Sequence, residues 1–142
     1  MKDIDIAVEL LNKESLTIAM VKNGECFYKS RERGIKPLYE ALVNYRDEME
    51  GASSADKIVG KGAALLYKEG KIDTVFAKII SESSLQIFKK ENINIYREKV
   101  VPYIKNRDKS GMCPIETMAV EDDNIESLLS GIENFLNKNN LI

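Results

Sequence analysis

Histidine is absent from the 142 residues, and cysteine occurs only twice, as Cys26 and Cys113. A four-coordinate zinc site draws mainly on those two residue types. No metal is therefore expected, and no other cofactor motif is present to suggest one. The two cysteines lie far apart in the chain, and free thiols in a reducing cytosol are the better reading. The opening segment MKDIDIAVELL carries acids inside its apolar pattern and does not read as a secretory signal. No apolar run approaches the length needed to span a bilayer. Large excess charge is missing too: the formal net charge is −2, so nothing pulls the whole chain toward nucleic acid or anionic lipid. A cytoplasmic protein with neither a membrane nor a nucleic-acid partner is expected.

What is present is an ordinary globular balance, 44% hydrophobic and 31% charged, at a length that suits one domain over 1–142. Helical spacing runs through residues 2–12. The period then changes, and two β-rich runs, 15–21 and 25–30, flank Asn23-Gly24. That dipeptide suits a type I′ hairpin turn, whose two central residues both need positive φ. Helical spacing returns through Leu38, Leu42 and Tyr45, with Pro37 tolerated in the first turn. The small-residue stretch GASSA reads as a loop supplying serine N-caps. Residues 55–69 read as a helix ending at Gly70. DTVFAKII and INIYREKVV read as strands on either side of a capped helix, SESSLQIFKKEN. A short helix over 113–119 and a last amphipathic one, DNIESLLSGIENFLNKN, close the chain. This order predicts an α/β protein, a three-layer α/β/α sandwich with a mixed sheet.

Two stretches invite a chemical reading. VGKGAALL fails as a phosphate loop, because Ala55 and Gly62 stand where the Walker pattern needs Gly and Ser or Thr. It fails as a dinucleotide fingerprint because Leu65 replaces the third glycine. Gly60 and Gly62 inside a helix would cost about 1 kcal/mol each relative to alanine. Close packing against the sheet would justify that cost, and so would backbone approach to a ligand. In GMCPIE, Pro114 suits the first helical position, which makes Cys113 the N-cap and Glu116 the third helical residue. Cysteine is a poor cap, but a helix N-terminus favours its thiolate. Glu116 would oppose the thiolate if ionised, or serve as its base partner. A buried, inert cysteine is the alternative. Arg107 and Lys109, in the turn before Cys113, could receive an anion, or could be solvated surface charges. Tyr96 and Tyr103 could stack on a base but read as core or cross-strand residues.

Taken together, DKIVGKGAALL (56–66) and GMCPIE (111–116) resemble a small uncharacterised bacterial family with a cytidine-deaminase-like fold. The resemblance covers nearly the whole chain in element order. Val59-Gly60-Lys61 stands where the deaminase H-x-E would be, and Ser81-Glu82-Ser83-Ser84 where P-C-x-x-C would be. Both zinc motifs are absent, and Gly62 departs from the alanine expected in the family. The resemblance implies the fold without the deaminase chemistry, and association into a homodimer or larger homo-oligomer. The leading expectation is a zinc-independent site for a small nucleotide- or base-like molecule. Lys61, Cys113 and Glu116 would do its chemistry, and Gly60, Gly62, Glu82, Arg107 and Lys109 would line it. The alternatives are a non-catalytic binding or regulatory domain and a structural subunit.

Overall fold

The computed structural model describes residues 1–105, 114–121 (backbone alone for 120 and 121) and 124–141. Asn23 and Gly24 take φ of 52° and 81°, the positive pair that the Asn-Gly turn predicted. They join β1 (Ile18–Lys22) to β2 (Glu25–Ser30) as an antiparallel hairpin. The preceding helix α1 (Asp3–Lys13) is tied to this turn, since the Asp3 carboxylate accepts from the N–H groups of Asn23 (3.0 Å) and Gly24 (2.8 Å).

After the hairpin come α2 (Lys36–Asn44), with Pro37 in its first turn, and a single-turn helix α3 (Arg46–Met49). Residues 53–59 depart from expectation. The sequence predicts a capping loop running into a helix here, and the residues instead form β3 (Ser53–Val59). The helix that follows, α4 (Lys61–Glu69), is correspondingly shorter, with Gly60 as its N-cap. Ser53 and Ser54 are thus buried strand residues and not caps. Next come β4 (Thr74–Ser81), α5 (Glu82–Lys90) and β5 (Asn94–Val101). Ser81 caps α5 by accepting from Ser84 N–H, as the Ser-rich sequence predicted. The chain ends in α6 (Pro114–Glu121) and α7 (Ile125–Lys138), where Leu128, Ile132 and Leu136 share the buried stripe.

The five strands form one mixed sheet in the order β2-β1-β3-β4-β5. β1 runs antiparallel to both β2 and β3, while β3, β4 and β5 are mutually parallel. Alternation along β1 sends Ala19 and Val21 toward α1, and Ile18 and Met20 into the larger core on the other face. That larger core holds α2, α4 and α5, and α6 and α7 dock on α4. The architecture is an α/β fold with a five-strand mixed sheet flanked by helices. Of the two readings for Tyr96, the cross-strand one holds: it stands beside Phe76 of β4 and is 56% exposed on β5, while Tyr103, beyond that strand, is 38% exposed and not a core residue. No helix among the described residues is long and apolar enough to cross a membrane.

Candidate functional site

β3 and β4 end side by side, and each passes directly into a helix. At this corner the α4 N-terminus presents backbone N–H groups with no side-chain cap of its own. The missing cap comes from α6. Glu116, the third residue of that helix, is 3% exposed, and its Oε2 accepts from Lys61 N–H at 2.6 Å. The Gly62 and Ile104 N–H groups and the Ser81 hydroxyl also face it and favour its charged form. A carboxylate at a helix N-terminus is favoured by the dipole and by the orphan donors. Burial nevertheless wins: it pushes the Glu116 carboxyl above the usual range, while the four donors pull against it.

The two glycines make this contact possible. A Cβ on Gly60 would overlap the Glu116 carboxylate and come within 2.9 Å of Ile104 Cγ1. A Cβ on Gly62 would lie 2.8 Å from Ile115 Cγ2. Gly60 is the N-cap, in extended backbone, and not an interior helical residue as expected. The close packing foreseen for the pair is therefore of helix on helix, α6 on α4, rather than of helix on sheet.

Below Glu116 lies a serine cluster. Ser81 Oγ is 2.6 Å from Ser84 Oγ and 3.2 Å from Ser83 Oγ, and the Ser84 hydroxyl donates to the Val59 carbonyl at 3.3 Å. A second buried polar group sits further back along β3 and α4. Tyr67 donates to Asp56 Oδ2 at 2.7 Å, and its hydroxyl is 2.9 Å from Ser54 Oγ. Burial raises the Asp56 carboxyl to about 7, with the Tyr67 hydroxyl and the Ile58 and Lys57 N–H groups pulling it down. Burial, followed by the Asp56 charge, pushes the Tyr67 phenol well above its ordinary value.

Of the residues expected to form a site, the structure brings Gly60, Lys61, Gly62 and Glu116 together. Glu82 opens α5 close by in sequence, but it is exposed and makes no contact with this carboxylate. Arg107, Lys109 and Cys113 lie outside the described residues. Pro114 opens α6, as the GMCPIE reading required, and Glu116 reaches α4 across 55 residues of chain. Ser81, Ser84, Ile104 and the Ser54–Tyr67–Asp56 network were not foreseen. The serines stand out in SESSL, both as caps and at the place of the deaminase P-C-x-x-C, and nothing local marks Asp56 as buried.

One carboxylate and a set of hydroxyls do not fit zinc, which takes thiolate, imidazole and carboxylate ligands. No group of three or more Cys, Asp or Glu side chains among the described residues is placed to hold a metal ion.

A search of curated proteins finds none that matches this chain. Among solved structures, it is similar to a DUF1893 family protein, TM1506, from Thermotoga maritima. The two share 27% sequence identity and a TM-score of 0.84, over 94% of this chain and 90% of the other. Residues 6–136, all but the ends of the chain, match the family described as TM1506, a domain of unknown function (DUF1893). The chain belongs to the DUF1893 family.

Proposed function

We propose that the corner between α4, α5 and α6 is a zinc-independent site for a small nucleotide- or base-like molecule, on a cytidine-deaminase-like fold in a cytoplasmic protein. The observation that carries the reading is the Glu116 carboxylate. It is buried with a raised pKa at the carboxyl ends of two parallel strands, where α/β sheets commonly take ligands. In this reading Glu116 handles a proton, Lys61 at the head of α4 faces an anionic group, and Ser81 offers a hydroxyl. Cys113, three residues before Glu116, supplies a nucleophilic or redox-active thiol. The order of hairpin and strand–helix units supports the fold assignment.

A non-catalytic binding or regulatory domain is the second reading. It is favoured by one fact: the Glu116 carboxylate already serves the fold by accepting from Lys61 N–H at the head of α4.

The experiment is a thermal-shift panel of bases, nucleosides and mononucleotides with wild type and Glu116→Gln. A ligand at about 100 times its Kd stabilises the fold by about 2.7 kcal/mol. At least one class should raise the melting temperature of wild type, and Glu116→Gln should reduce that rise. No shift at millimolar ligand would sink the site. Alkylation rates against pH then separate the two readings. A Cys113 thiol titrating below about 8.5 supports catalysis, and an accessible one titrating at or above that value supports binding alone.

A further inference from the structure

Among the described residues, the face of the sheet that carries α1 is only half covered. Ala55, Phe76 and Tyr96 form one row across β3, β4 and β5. Ala55 and Phe76 pack with α1, so the row faces that helix. Along it, exposure climbs from 0% at Ala55, through a half-buried Phe76, to 56% at Tyr96. Cover therefore runs out at β4. Between α1 and the bare strands lies a groove of about 480 Å³, with Ile4 and Val8 on its helical wall and Phe76 and Tyr96 on its floor. Asp5 and Glu9 stand on the same wall, with Lys2 at its end.

Charge narrows what can fill this space. Two residues beyond the Ala55–Phe76–Tyr96 row come Lys57, Lys78 and Glu98, which strand alternation places on the same face. Neither lysine forms an ion pair with a described residue, and neither Asp5 nor Glu9 does. Among the described residues, one face thus carries an unpaired acidic helix edge beside two unpaired lysines, with Glu98 at the far end of the lysine row and apolar side chains between helix and lysines. A twofold axis through such a face sets each element opposite its complement, and the contact closes on itself. The acids at the groove disfavour a polyanion, since they repel phosphates that the two lysines would attract.

We propose that two copies of this chain pair face to face, with α1 of each covering the β4–β5 half of the other's sheet. Asp5 and Glu9 of one copy meet Lys57 and Lys78 of the other, and Tyr96 is buried at the centre. The interface lies on the opposite face of the sheet from the α4–α6 corner and does not depend on it.

Sedimentation across a concentration series tests the pairing. The full chain should approach twice its 16.0 kDa mass as concentration rises. Tyr96→Glu, at an exposed position, should leave the circular dichroism melt in place and weaken dimerisation at least tenfold, about 1.4 kcal/mol. Asp5→Lys with Glu9→Lys should weaken it as well, and so should Lys57→Glu with Lys78→Glu. An equimolar mixture of those two double variants should form a heterodimer, because each restores the other's complement. A chain monomeric to half-millimolar concentration overturns the proposal. So does a dimer indifferent to Tyr96→Glu, or a mixture that fails to restore association.

Discussion

Asp56 is a carboxyl that folding makes harder to ionise. Its proton is held to about pH 7 by burial, whereas an unfolded chain releases it near 4. The sign follows from proton binding. Between those values the native state holds more protons than the unfolded state, so stability falls as pH rises through the window and levels off above it. Glu116, also raised, tilts stability in the same direction. Asp56→Asn removes the titration while its carboxamide can still meet Tyr67, whose hydroxyl can turn to donate to Ser54. Chemical denaturation at a series of pH values should show wild type losing roughly 4 kcal/mol relative to Asp56→Asn between pH 4 and pH 8. A constant difference across that range would mean that Asp56 ionises as freely as in the unfolded chain. Glu116 makes a contrasting case. Glu116→Ala leaves the Lys61 N–H at the head of α4 without its acceptor, and should cost about 1–3 kcal/mol. Glu116→Gln keeps one acceptor oxygen in place and should cost less. Equal melting temperatures for the two variants would remove the carboxylate from its role as the α4 cap.

At the scale of elements, α4 and α6 test which of two opposed effects governs a glycine. Helix propensity favours Gly62→Ala by about 1 kcal/mol. Sterics oppose it, because Ile115 Cγ2 stands 2.8 Å from the new Cβ and Ile115 is itself buried. Overpacking of this kind typically costs about 1–3 kcal/mol, so the substitution should destabilise. In an Ile115→Ala background the obstacle is gone, and Gly62→Ala should then stabilise. The double-mutant cycle reads the coupling directly, and additive effects would mean that the two helices do not meet here. The glycines, Pro114 and Glu116 could all be picked out in the sequence, because a costly or conformationally special residue needs a local reason. Their partners could not, since the Glu116–Lys61 contact joins residues far apart in the chain. β3 was misread for a related cause. Ser53, Ser54, Ala55 and Asp56 have little β propensity, and they are buried in a central strand flanked by β1 and β4. Asp56 is tolerated there because Tyr67, eleven residues on, supplies a hydroxyl. The hairpin was legible because Asn-Gly encodes its own geometry.

For the whole molecule, the sheet order implies a gradient of stability from centre to edge. β1 and β3 sit side by side within the sheet, with α1 on one face and the large core on the other. Among the described residues β5 has a single strand neighbour, β4, and most of its own residues are exposed. Its Arg97, Glu98 and Lys99 put charge along the strand, which discourages a further strand from pairing with the edge. Amide exchange depends on how much of the fold must open to free each N–H. The β1 and β3 amides should therefore exchange only by global unfolding, at the free energy measured with denaturant. The β5 amides that point away from β4 should exchange orders of magnitude faster. Face-to-face pairing would bury Tyr96 without giving those outward N–H groups an acceptor, so the contrast should persist at concentrations where the chain self-associates. Hydrogen–deuterium exchange with peptide-level mass spectrometry resolves the strands. Exchange in β5 as slow as in β3 would mean that another chain completes the edge, and would replace face pairing with edge pairing as the mode of association.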